Sequence, residues 1–167
     1  LGLGVTGKTE AWYVLEAEPT SRLSFGWQPD VTEAEVRAQL AAGTIESTLV
    51  SITPQPGEAY LVPAGTVHAF SGGVVLFEIE QCSDLTLRLW DWNRLDIHGR
   101  PRTLHIEQAL TCIDWTRTDV PRASTAAWVT QRPGIQGRTL LRCLYFQLEE
   151  WRITAADWSV PATELAA

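Results

Sequence analysis

The feature that most limits how this chain can fold is a succession of short strand-like runs separated by turns rich in Pro, Gly and Ser. Ala11-Trp12-Tyr13-Val14-Leu15 is an aromatic and β-branched run that follows a Gly7-Lys8-Thr9-Glu10 turn, and Ser21 to Trp27 alternates apolar with polar or small residues. The same pattern returns at Thr48–Ile52, Ala59–Val62, Val74–Ile79 and Leu85–Trp90. Strands this short and this closely spaced predict a mainly β chain closed as an antiparallel sandwich or barrel.

One clear helix interrupts the strands. Thr32 is a suitable N-cap, Glu35 is its capping-box partner three positions on, and Val36, Leu40 and Ala41 form an apolar stripe that ends at Gly43. A second, short helical stretch is expected around His105–Leu110. The pattern divides the chain into residues 1–118, a barrel with an inserted helix, a Pro/Ser/Thr-rich connection over 119–139, and the start of a second β segment over 140–167, strongest from Leu140 to Ile153.

Composition narrows the partners. With 13 basic and 20 acidic residues the formal net charge is -7, which argues against a nucleic-acid or membrane-surface binder. No apolar run approaches the ~20 residues that span a bilayer, and no charged-then-apolar signal opens the chain. Neither a nucleic-acid partner nor a membrane is therefore expected. Cys82, Cys112 and Cys143 are odd in number and lack C-x-x-C spacing, so they read as buried thiols of a reducing, cytoplasmic compartment. The eight Trp are scattered and read as packing residues. The chain contains no Met and opens on Leu1-Gly2-Leu3-Gly4, which suggests a processed or incomplete product.

The most informative segment is Gly57-Glu58-Ala59-Tyr60-Leu61-Val62-Pro63-Ala64-Gly65-Thr66-Val67-His68. It is a turn glycine, a strand, a Pro-x-Gly turn and a histidine at the start of the next strand. A fixed turn of this kind delivers one imidazole at a reproducible angle. The segment resembles the second motif of the cupin superfamily, in which such a histidine points into a small β-barrel and binds metal. Gly7-Lys8-Thr9-Glu10-Ala11-Trp12-Tyr13-Val14-Leu15 resembles the metal-ligand strand of the type I mannose-6-phosphate isomerases. Glu78 to Asp84 with Arg88-Leu89-Trp90-Asp91-Trp92-Asn93-Arg94 resembles the same family's active-site strand pair. Arg102 to Glu107 and the helix inserted after Asp30-Val31-Thr32 are similar to its bacterial branch. The resemblance is close from Gly7 to Leu110 and faint from there to Ile153.

That resemblance implies a cupin-type antiparallel β-barrel, or jelly roll, and a role for each matching residue. Glu10 and His68 would be ligands of one divalent metal, typically zinc, for which a carboxylate and a neutral imidazole are suitable donors. Arg88 matches the catalytic arginine, with Glu78 and Lys8 in the same cavity as further catalytic groups. Arg94, with Lys8, would recognise the phosphate of the substrate. The implied reaction interconverts mannose 6-phosphate and fructose 6-phosphate, moving one proton between C1 and C2 and another between the oxygens. An arginine and a metal would stabilise the enediolate in between.

Duller roles compete for the same residues. Glu10 is also placed to pair with Lys8 at a strand end, and Arg88 with Asp84 beneath the sheet. Glu80 reads as structural and Asp91 as a carboxylate that orients arginines. His98 reads as a solvated turn residue, and His105 as the opening of a helix. The family also draws ligands from an upstream Gln-x-His-Pro segment, whereas Leu1 to Thr6 carries no histidine, glutamine or acid. Trp151-Arg152-Ile153 resembles the opening of a second cupin domain, so the chain reads as the middle of a longer isomerase or as a variant stripped at both ends. The competing function is a non-catalytic sugar-binding or regulatory cupin. A cupin dioxygenase would want several histidines around iron, and only His68 is well placed.

Overall fold

A computed structural model describes residues 7–123 and 125–154. The chain divides into two compact units, Leu1–Arg122 and Ala123–Ala167. The first holds two three-stranded antiparallel sheets, both helices and the cavity described below; the second holds one three-stranded sheet.

The first sheet is built on β1 (Glu10–Ala17), flanked by β4 (Ala59–Val62) and β6 (Val74–Glu80). The second is built on β2 (Leu23–Trp27), flanked by β3 (Leu49–Ile52) and β5 (His68–Phe70). One face of β1 and β4 packs on β2. Trp12, Val14, Leu23, Phe25, Tyr60 and Val62 form the shared core, with Phe25 stacked on Tyr60 at 5.2 Å between ring centroids and Trp12 tilted against Phe25 at 5.3 Å. Each side chain of this size contributes roughly 1.5–3 kcal/mol when fully buried. The result is the mainly β, antiparallel architecture that the strand pattern predicts and that the cupin resemblance implies.

Helix α1 (Glu33–Ala42) forms as its sequence dictates. The Thr32 side chain accepts from the Glu35 N–H, and Gly43 closes the helix at φ 72°. Val36 and Leu40 bury their side chains in a second core with Trp27, Ile45, Leu49, Leu89, Ala109 and Leu110; Ala41 is exposed and does not extend that stripe. A 3-10 turn (Ile45–Thr48) leads into β3, and α2 (Ile106–Cys112) supplies the last two of those core residues.

Two local expectations fail for physical reasons. Leu85–Trp90 forms no strand: its side chains alternate suitably, but its backbone bonds go to loops rather than to a neighbouring strand. The cysteines are not buried, since Cys82 and Cys112 are exposed and Cys143 is half-buried. Cysteine is apolar enough to sit inside, but these three lie outside the packed strand faces, on a loop, at a helix end and in a hairpin connection.

In the second unit β7 (Val129–Arg132), β8 (Ile135–Arg142) and β9 (Gln147–Ile153) form an antiparallel meander. Two of these strands begin before Leu140, within the stretch read as a connection. Trp128 lies beneath the Arg138 and Arg152 guanidinium groups, 4.7 and 3.9 Å from its ring centroid, and Arg138 also pairs with Glu150. Residues 155–167, the tail of the expected second β segment, lie outside the described residues.

Candidate active site

Alternation along β1 places Glu10, Trp12 and Val14 on one face, and register then decides what they meet. In the antiparallel pairing with β6, Glu10 stands opposite Glu80 and Trp12 opposite Glu78. Glu78 and Glu80 therefore share the face of Glu10. Carboxylate oxygens of Glu10, Glu78 and Glu80 lie within 4.8 Å of one another. The Trp12 Nε1–H donates to Glu78 at 2.7 Å, and Lys8 reaches Glu80 at 2.5 Å and Glu10 at 3.3 Å.

His68 enters from the opposite sheet. The Pro63-Ala64-Gly65 turn closes with the Thr66 N–H on the Pro63 carbonyl, and Gly65 has the positive φ (85°) that a type II turn requires there. The His68 Nδ1–H donates to the Thr66 carbonyl at 2.8 Å, which leaves the Nε2 lone pair facing Glu10 Oε2 at 3.5 Å. Trp12 meets the imidazole edge-on at 5.3 Å and fixes its tilt.

The electrostatics follow from burial. Glu10 is almost fully enclosed, and its carboxyl is pushed up to about 7 by desolvation and a hydrogen bond with Glu78, against the pull of Lys8. Desolvation also holds the His68 imidazole below its ordinary value and therefore neutral at physiological pH. A neutral imidazole and clustered carboxylates are donors for a divalent cation, and the Nδ1–H bond to a backbone carbonyl is the outer contact that orients a histidine ligand. The donor set fits such an ion.

A cavity of about 920 Å³ opens beside this cluster. Lys8, Glu10, His68, Glu78, Arg88 and Arg94 all line it, so the sequence-derived site residues, up to 86 positions apart, share one chamber. Arg88 does not pair with Asp84; its Nη1 donates to the Thr103 carbonyl at 3.3 Å. Asp91 orients arginines as expected. It is buried, takes Arg94 at 2.6 Å and grips Arg102 through both carboxylate oxygens, and these two arginines hold its carboxyl well below the usual range. His98 is exposed, and His105 precedes α2 without a side-chain cap bond.

Three contributors escaped the sequence reading. Glu80 stands in the carboxylate cluster rather than apart from it, and its two-residue spacing from Glu78 was the available signal. Arg102 joins Arg94 on Asp91 and lines the cavity; no periodicity announces it. Trp92 is exposed on the cavity wall, donates to Glu46 and stacks under Arg94, so this tryptophan is no core residue.

Fold and cavity together define a cupin-type protein with three clustered carboxylates, an imidazole facing one of them, and a large chamber alongside. Over 153 residues, 92% of its length, the chain is 35% identical to the mannose-6-phosphate isomerase of Streptococcus mutans. Over the same span it is 30% identical to the mannose-6-phosphate isomerase ManA of Bacillus subtilis. The crystal structure of the mannose 6-phosphate isomerase from Bacillus subtilis superposes on 90% of the chain with a TM-score of 0.79 at 31% identity. No protein-family model matches the chain. The chain spans about half the length of these relatives, 47% in each case. Over that shared length it is a relative of the mannose-6-phosphate isomerases in both sequence and fold. Among the described residues no helix is long and apolar enough to cross a membrane.

Proposed function

We propose that the cavity interconverts mannose 6-phosphate and fructose 6-phosphate. The observation that carries this reading is the convergence of Glu10, His68, Glu78 and Arg88 on one chamber in a chain related to enzymes of that name. Glu10 and His68 would hold a divalent ion, with zinc the first choice for this donor pair, and Glu78 and Glu80 stand within reach of the same ion. When bound, that ion supplies positive charge next to the substrate's oxygens.

The chain's own groups do the remainder. Arg88 presents a permanent cation to the oxygen on which charge develops as the enediolate forms. Glu78, held by the Trp12 N–H but open to the cavity, carries the proton between neighbouring substrate positions. Lys8 bridges Glu10 and Glu80 and keeps three carboxylates compatible at one site; its ammonium also faces the substrate. Arg94 takes the phosphate, with Arg102 beside it on Asp91. Three free thiols accord with a reducing, cytoplasmic setting.

A second reading, a sugar-phosphate binder without turnover, is favoured by one observation: among the described residues a single imidazole meets the carboxylates. A coupled assay separates the two. With zinc supplied, mannose 6-phosphate is expected to yield fructose 6-phosphate. Thermal stabilisation by mannose 6-phosphate with no product would sink the isomerase reading and leave the binder.

A further inference from the structure

Arg88 lies in a segment that forms no strand, so no sheet ladder sets the position of its backbone. His105 takes that place. The Arg88 N–H donates to His105 Nδ1 at 3.1 Å, and the His105 N–H donates to the Arg88 carbonyl at 2.8 Å. The residue two before His105 completes the hold, since the Thr103 carbonyl accepts from Arg88 Nη1 at 3.3 Å. Backbone and guanidinium of Arg88 are thus tied to one three-residue stretch, Thr103 to His105.

We infer that His105 is a positioning residue, fixing Arg88 against the cavity through its unprotonated Nδ1. This rests on the proposed isomerase reading only for its kinetic consequence; the hydrogen bonds themselves are independent of it. The geometry demands one tautomer. Because the Arg88 N–H is the donor, Nδ1 must be the acceptor and the ring proton must sit on Nε2. The side chain has no duty at the start of α2, where it makes no capping bond, so its removal takes away the contact to Arg88 rather than the helix. Asp91 holds Arg94 and Arg102 in an equivalent way, but by charge, whereas His105 acts on the backbone of a single arginine.

The test compares His105→Ala with His105→Asn in the full chain. The Asn carbonyl oxygen occupies the place of Nδ1 and accepts the same N–H, whereas Ala cannot. With zinc and mannose 6-phosphate, His105→Ala is expected to lower kcat about 100-fold with KM within about twofold, the cost of an arginine displaced by about an ångström. His105→Asn should restore most of kcat. Amide exchange of Arg88 should rise in His105→Ala and stay protected in His105→Asn. Long-range nitrogen–proton spectra of the unaltered chain should show Nδ1 unprotonated. Unchanged Arg88 exchange in His105→Ala, or equal loss in both variants, would overturn the inference. If the unaltered chain shows no turnover while the exchange pattern holds, the isomerase reading fails and the positioning role stands.

Discussion

Burial and a hydrogen bond to the Glu58 carboxylate push the Tyr60 hydroxyl up to about 12, against the opposing pull of Arg122. The unfolded chain gives up that proton near 10, its ordinary value, so between pH 10 and 12 the folded state holds a proton that the unfolded state has lost. Stability therefore falls as pH rises through that window. Tyr60→Phe is expected to flatten this alkaline loss, read as the urea midpoint against pH; a slope identical to that of the unaltered chain would contradict it. Within the cavity, Arg88→Ala is expected to reduce turnover by at least about 100-fold, the usual scale for a preorganised charge, while zinc content is unchanged. Turnover within a few-fold of the unaltered chain would remove Arg88 from the chemistry. At this scale the sequence was most legible where motif and turn chemistry coincide, as at Glu10 and His68. It was least legible at Arg102 and His105, whose contacts cross loops and obey no period.

Elements are placed by a few backbone positions that only glycine can occupy. Gly26 sits in β2 at φ 57°, where the register with β3 shifts, and a Cβ there would lie 2.2 Å from the Arg117 carbonyl oxygen. That carbonyl accepts the Trp27 N–H at 2.8 Å, so neither partner can retreat freely. Gly57 has a comparable φ of 89° but open space around it. Gly26→Ala should then cost at least about 2 kcal/mol more than Gly57→Ala, whose penalty is backbone strain alone at roughly 1–2 kcal/mol. Equal shifts in thermal unfolding for the two variants would contradict this. The capped helix α1 was readable because Thr32, Glu35 and Gly43 are local signals. Leu85–Trp90 was misread because alternation reports a suitable side-chain pattern, not the presence of a hydrogen-bonding neighbour.

At the scale of the whole molecule, the first unit carries its own closing contacts. Arg122 bridges to Tyr60 and pairs with Glu58 at 3.1 Å, and the Pro121 carbonyl accepts the Leu61 N–H at 2.9 Å. A chain ending at Arg122 keeps all three and is expected to unfold cooperatively; a gradual, non-cooperative melt would show that the remaining residues are required. The strand pattern made the β architecture legible, but it could not say where the first unit stops, because Val120 to Arg122 look like linker and behave as a latch. The account as a whole turns on the cluster at the cavity. Crystals grown with zinc and measured at the zinc absorption edge test it most directly. The expected result is one strong anomalous peak about 2.0–2.2 Å from a Glu10 oxygen and from His68 Nε2, with Arg88 facing the same chamber. A strongest peak elsewhere on the molecule, with Glu10 and His68 turned apart, would contradict it.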